Sequence, residues 1–272
     1  MRRLAGTRKV GHLGTLDPGA TGVLPLVIGR ATRLAQFFTH NNKIYEGVIH
    51  FGYSTDSYDM DGTPTSPEVA AVLERDAVEA LFDRFRGELL QTPPPVSAKK
   101  IDGRPAYERA RKNLPVELKP VPVKVTSLEV IAIAGCEATV RIHCSAGTYI
   151  RGIAHDAGQA MGCGAFLQAL RRLASGDFRI EQARTLEELA VLSAENRLRE
   201  ALLPAAGLLP EFPVEIVDTT TLAHIRNGRD FRVSPFQVRS EARYVKAVTQ
   251  DGQLAAIGEA VLPHLYHPVL VL

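Results

Sequence analysis

The stretch "GHLGTLDPGATGVLPLVIG", Gly11 to Gly29, decides the reading of this chain. It is heavily punctuated by Gly and Pro, yet it is not a polar linker. It carries a single acid, Asp17, and a single histidine, His12. The Asp17–Pro18 step favours turn initiation. From the residues alone Asp17 has two readings: the cap of a turn, or a lone carboxylate nucleophile held by a stiff loop and steered by a cation. Other chemistries fit poorly. The segment lacks the Gly-Lys-Ser/Thr end of a phosphate loop, and no Gly-x-Ser-x-Gly elbow supplies a triad. Asp56, Asp59 and Asp61 form a turn-rich set without the closing glutamate of an EF-hand loop.

Around this loop the chain has 272 residues, enough for a large domain and a small one. Its net charge of +2 is too mild to announce nucleic-acid binding by bulk charge. Charge is more telling locally. Arg2, Arg3, Arg8 and Lys9 form one basic cluster. Lys99, Lys100, Arg104, Arg109, Arg111 and Lys112 form a second, and Arg151, Arg171 and Arg172 a third. Together they suggest a polyanion laid across one face, and equally fit solvated basic helix faces. Cys136, Cys144 and Cys163 match no zinc or redox spacing, and their odd number suggests a reducing compartment. Neither a spanning apolar run nor a signal-peptide stretch is present, so a cytoplasmic protein is expected.

The periodicities alternate between strand and helix without a strict βαβ order. "IYEGVIHF", from Ile44 to Phe51, is consistent with a strand. "EATVRIHCSAG" alternates Val140, Ile142 and Cys144 against Thr139, Arg141 and His143. "RDAVEALFDRFRGEL" sets Val78, Leu81, Phe82 and Phe85 at helical spacing, with Gly87 as a stop. "TYIRGIAHDAGQAMG" places Ile150, Ile153, Ala154, Ala157 and Met161 on one helical stripe. Thr185 with Glu188 is a capping box before Leu186, Leu189 and Leu192. "QTPPPVSAKKIDGRPAYERARKN" reads as a loop running into a short basic helix, and "STDSYDMDGTPTSP" as a loop. After the Pro-rich "LLPAAGLLPEFP" the chain reads as short strands again. The pattern predicts an α+β protein with a mixed, largely antiparallel sheet, followed by a small β domain.

Four ordered segments then carry a resemblance. "GHLGTLDPGATGVLPLVIGRATR" closely resembles the signature of the TruB-type tRNA pseudouridine synthases. "NKIYEGVIHFGYSTDSYDMDG", "CSAGTYIRGIAHDAG" and "GCGAFLQALRRLASGDF" resemble the family's later motifs in the same order. The resemblance implies a pseudouridine-synthase catalytic domain over 1–209 and a PUA-like RNA-binding domain over 210–272. It implies isomerisation of uridine 55 in the T-arm of tRNA, after base flipping, by a monomer without cofactor or metal. By the same resemblance Asp17 is the nucleophile. Arg151 pairs with it, and Tyr45 stacks on the flipped base and moves a proton. Tyr149 and Leu170 line the uracil pocket, and His12 enters the RNA. "QTPPPVSAKKIDGRPAYERAR" matches an insertion that closes over the RNA.

One departure stands out. Only ten residues precede Gly11, and the family's Lys-Pro-x-Gly strand has no counterpart. This reading expects a start upstream of Met1. It also keeps open a non-catalytic tRNA-binding or RNA-folding protein as the alternative. A hydrolase using Asp17 on a nucleoside would want a second acid at a set distance, and no motif presents one.

Overall fold

The computed structural model describes residues 1–97, 100–101, 104–105, 118–236, 238 and 241–272. In chain order the strands are β1 (Val10–His12), β2 (Thr21–Gly22), β3 (Leu26–Ile28), β4 (Lys43–Phe51), β5 (Gly87–Gln91), β6 (Lys100–Ile101), β7 (Arg104–Pro105) and β8 (Val121–Ala134). They continue as β9 (Glu137–Cys144), β10 (Ala165–Ser175), β11 (Phe178–Arg179), β12 (Val214–Val217), β13 (Phe231–Arg232), β14 (Tyr244–Thr249), β15 (Leu254–Leu262) and β16 (Leu265–Val271). The α-helices are α1 (Arg75–Asp83), α2 (Ile150–Met161), α3 (Leu186–Ala194) and α4 (Thr219–Arg226). Contacts divide the chain into two units. One holds residues 14–25 and 40–183; the other holds 1–13, 26–39 and 184–272.

The first unit is built on alternation. In β9, Ala138, Val140, Ile142 and Cys144 are fully buried, as the period of two requires. In β4 the same alternation buries Gly47, Ile49 and Phe51. These strands lie in a sheet of order β11-β10-β4-β9-β8-β5, antiparallel at every step of that path, so the expected largely antiparallel sheet is what forms. Against it pack α1 and α2. Helix α2 buries Ile150, Ile153, Ala154 and Ala157 and ends at Gly162, whose φ of +75° is the left-handed stop that glycine adopts freely. These side chains join one core with Val78, Phe82 and Leu128. Strand β10 departs from β4 in register twice, between Leu167 and Ala169 and between Arg172 and Ala174. Bulges of this kind re-aim side chains, and the segment between them faces the site described below.

The second unit carries a five-stranded sheet of order β12-β14-β15-β16-β13, drawn wholly from the C-terminal segment. Val245, Ala247, Ala256 and Tyr266 are fully buried in its core. The sequence reading expected strands here and missed α4. The available signal was Asp218, whose side chain accepts from Thr221 N at 2.7 Å as an N-cap. At α3 the capping box forms in both directions, Glu188 N to Thr185 Oγ1 and Thr185 N to Glu188 Oε2. Its expected apolar stripe is only partly covered: Leu189 and Leu192 are half-buried and Leu186 is exposed. Much of the basic loop-and-helix reading over 91–113 falls outside the described residues, which show there the end of β5 at Gln91, the irregular stretch 92–97 and the β6–β7 ladder. Among the described residues no helix is long and apolar enough to cross a membrane.

Candidate active site

The Asp17 loop is a turn first. Asp17 O accepts from Ala20 N at 3.0 Å, closing a turn over Pro18 and Gly19, so the turn reading holds for the backbone. Two residues later the chain is fastened to β10. Thr21 and Gly22 pair parallel with Arg171 and Arg172, and Val23 N donates to Arg172 O at 2.9 Å. Only glycine fits the seam. Gly22 has a φ of +99°, and a Cβ there would stand 2.2 Å from Arg172 O.

The Asp17 side chain does something else. Arg151, in the first turn of α2, is 4% exposed and directs its whole guanidinium at this loop. Nε donates to Asp17 Oδ2 at 2.9 Å and Nη2 to Asp17 Oδ1 at 3.0 Å, a two-pronged grip. The other three N–H groups go to Asp59 Oδ2 at 3.1 Å, Ser57 O at 2.9 Å and Val96 O at 3.1 Å. All five donors are used, so the arginine cannot swing. Asp17 keeps 38% of its side chain exposed. It is therefore oriented from behind and open in front.

In sequence Asp59 is one acid of a turn-rich set with no mark of its own. In the fold it is the second carboxylate on Arg151, and it also accepts from Ser57 Oγ at 2.5 Å and Asp61 N at 3.2 Å. The turn that presents it is tight: Tyr58 has a φ of +66°, and its ring stacks on His155 at 3.7 Å and 11°. His155 lies four residues, one helical turn, beyond Arg151 on α2. Among the described residues no group of three or more His, Cys, Asp or Glu could hold a metal.

Asp17, Asp59, Arg151, Leu167, Gln168 and Leu170 help line a small cleft that opens to solvent. Leu170 sits in its wall, on β10 between the two bulges. Tyr45 and Tyr149 are half-buried, and both feel the Asp17 charge without lining the cleft. Burial pushes both phenols above their ordinary range, and for Tyr45 the guanidinium of Arg172 works the other way. The Tyr149 backbone is pinned on both sides by Gln91: its N–H donates to Oε1 and its carbonyl accepts from Nε2, each at 2.8 Å. His12 stands exposed at the end of β1 in the other unit, opposite Leu26.

The third basic cluster of the sequence reading is not a surface patch. Arg171 is exposed, but Arg151 and Arg172 are buried and engaged inside the protein. Successive residues of a strand face opposite ways, and the first turn of α2 faces the core.

A carboxylate clamped by an internal arginine and open to a cleft is suited to covalent attack. Comparison with known proteins narrows the class. The model of the TruB family pseudouridylate synthase N-terminal domain matches residues 2–150, and that of the tRNA pseudouridylate synthase B C-terminal domain matches 151–209. The chain belongs to the TruB family. One TruB relative, a tRNA pseudouridine synthase B from Solibacter usitatus strain Ellin6076, is 61% identical over 272 residues, covering all of this chain and 93% of its own. Another of that name, from Azoarcus sp. strain BH72, is 44% identical over 85% of this chain and 76% of its own. Among solved structures, a chain of a Cbf5-Nop10-Gar1 complex matches with a TM-score of 0.70 at 26% identity, over 97% of this TruB chain and 73% of that one. A chain of an H/ACA RNP bound to a substrate RNA shares the fold, with a TM-score of 0.72 at 23% identity, over 99% of this chain and 78% of that one.

Proposed function

We propose that this chain isomerises uridine 55 in the T-arm of tRNA to pseudouridine, with Asp17 as the nucleophile. The observation that carries the reading is the two-pronged hold of Arg151 on a half-exposed Asp17 at a cleft. The tRNA pseudouridine synthase B relatives supply the substrate class.

The target uridine is extruded from its arm at a cost of a few kcal/mol of unstacking. With the base in the cleft, the Asp17 carboxylate attacks, the bond from ribose to uracil N1 breaks, and the base turns. C5 then joins the ribose. C5 loses its proton, N1 gains one, and the carboxylate is released. The C5 hydrogen passes to solvent and N1 takes one up, so the product is an isomer of uridine and the reaction consumes no cofactor. Arg151 keeps the carboxylate aimed through the sequence. Tyr45 stacks on the base and moves the proton. Leu170 and Tyr149 bound the uracil, and His12 reaches into the RNA. Residues 210–272 act as a PUA-like module that binds the RNA away from the T-loop. Exposed Arg226, Arg229 and Arg232 on or beside its α4 and β13 suit phosphate contacts. The protein works in the cytoplasm as a monomer.

The test is Asp17→Asn with 5-tritiated uridine in tRNA. Tritium release should vanish while tRNA affinity stays within about tenfold, because phosphate contacts elsewhere carry most affinity. Activity surviving in Asp17→Asn removes Asp17 as nucleophile. Wild-type protein that binds tRNA and forms no pseudouridine would make it a binding protein.

A further inference from the structure

Arg172 is as buried as the apolar core, at 1% exposure, yet among the described residues no carboxylate lies within ion-pair distance of it. Burying a guanidinium without a counter-ion costs several kcal/mol unless its donors are well used. Its contacts say what the charge is for. Nε donates to Val23 O at 2.7 Å, Nη1 to Thr15 O at 3.0 Å, and Nη2 to Gly14 O at 3.4 Å. These carbonyls flank Asp17 on both sides, so the arginine ties the two ends of the nucleophile's turn together. Its backbone adds the seam to Gly22 and Val23.

Arg172 also faces the proposed proton carrier. In the β4–β10 ladder Tyr45 and Arg172 are direct cross-strand partners, so their side chains share one face. The positive charge of the guanidinium therefore acts on the Tyr45 hydroxyl and opposes the effect of its burial.

We propose that Arg172 is a positioning residue for the reaction: it fixes the Asp17 turn from beneath and holds a permanent positive charge against the Tyr45 hydroxyl. The proposal rests on the isomerase reading. The groups facing Tyr45 are Arg172 from β10, Cys144 from β9 and Asp17 from the loop. Asp17 is an acid and disfavours the phenolate. The Cys144 thiol, pushed up to about 11 by burial, stays neutral near pH 7. Of these groups Arg172 alone favours the phenolate, the form that accepts a proton. Lys43, buried two residues before Tyr45, adds a second cation near Arg172.

Two variants of similar size separate geometry from charge. Arg172→Lys keeps the cation and loses the fork; Arg172→Gln keeps amide donors and loses the cation. Both should lower kcat about 10²-fold, the cost of a nucleophile displaced by about 1 Å. KM for tRNA should stay within about threefold, since contacts made equally to ground and transition states are untouched. With 13C-labelled tyrosine, and Tyr45→Phe to assign the signal, the Tyr45 titration should move to higher pH in Arg172→Gln and not in Arg172→Lys. A kcat equal to wild type, a KM that rises in step with the loss of kcat, or a Tyr45 titration unmoved in Arg172→Gln overturns the proposal. If Arg172→Gln does not fold, the kcat and KM of Arg172→Lys decide it alone. If wild-type protein makes no pseudouridine, the isomerase reading fails, while the titration still decides whether Arg172 governs Tyr45.

Discussion

Replacing Arg151 with Met removes five hydrogen bonds at one point and leaves two carboxylates without their cation. The parts of that loss are unequal. Asp17 is more than a third exposed, so water and salt replace most of its share, leaving at most about 1 kcal/mol. Asp59 is 21% exposed and loses one charge-assisted bond, about 1–2 kcal/mol. The carbonyls of Ser57 and Val96 lose a donor, at about 1–3 kcal/mol each where water cannot reach them. Apolar burial of the Met returns about 1 kcal/mol. These parts sum to about 2–8 kcal/mol, and the about 3–5 kcal/mol typical of breaking a buried ion pair lies within that span. For a chain of this size a loss of about 3–5 kcal/mol lowers Tm by about 5–10 °C. The chain has no Trp, so circular dichroism is the practical probe of melting. Arg151→Lys keeps the charge but has three donors for five acceptors. It should melt closer to wild type and still lose about 10²-fold in kcat, because Asp17 is no longer held by two prongs. An Arg151→Met protein that melts within about 2 °C of wild type would refute this ledger. Undiminished tritium release from it would refute the role of the pair.

Other perturbations read other parts of the fold. Tyr45→Phe keeps the ring and loses the hydroxyl, so single-turnover rates should fall about 10²–10⁴-fold with little change in tRNA affinity; a near wild-type rate takes Tyr45 out of the proton step. Gly22→Ala forces a Cβ against the Arg172 carbonyl, and melting should show a loss of about 3 kcal/mol or more; wild-type melting would mean the seam yields. Burial lowers the Lys43 pKa below its unfolded value, so the unfolded chain binds more protons between the two values and stability rises with pH across that window. Lys43→Met should therefore equal or exceed wild type in urea unfolding at pH 7, and its advantage should shrink as pH approaches 10; a loss above about 2 kcal/mol at pH 7 would contradict this. At pH 8 an aromatic disulfide reagent should leave the buried Cys144 thiol untouched in the native state, since that thiol is pushed up to about 11, and should reach all three cysteines only in denaturant.

What the sequence determined by itself is whatever repeats locally. The alternation of Val140, Ile142 and Cys144 fixes which face of β9 is buried, and the Ile150-to-Ala157 stripe fixes the buried face of α2. The Thr185–Glu188 box marks a helix start three residues from its partner. The ordered motifs around Asp17, Tyr45 and Arg151 were legible for a different reason: they are runs long enough to resemble a family. Tertiary structure decided the rest. Arg151 finds Asp17 across 134 residues, and no spacing rule joins them. Asp59 looked like one more turn residue until α2 brought Arg151 beneath it. Arg171 and Arg172 are identical in local pattern, and a strand must turn one outward and one inward. Which one turns inward depends on what lies against β10. There the Asp17 loop supplies Gly14, Thr15 and Val23 carbonyls, the acceptors a buried guanidinium needs, and their positions are set only when the distant segments meet.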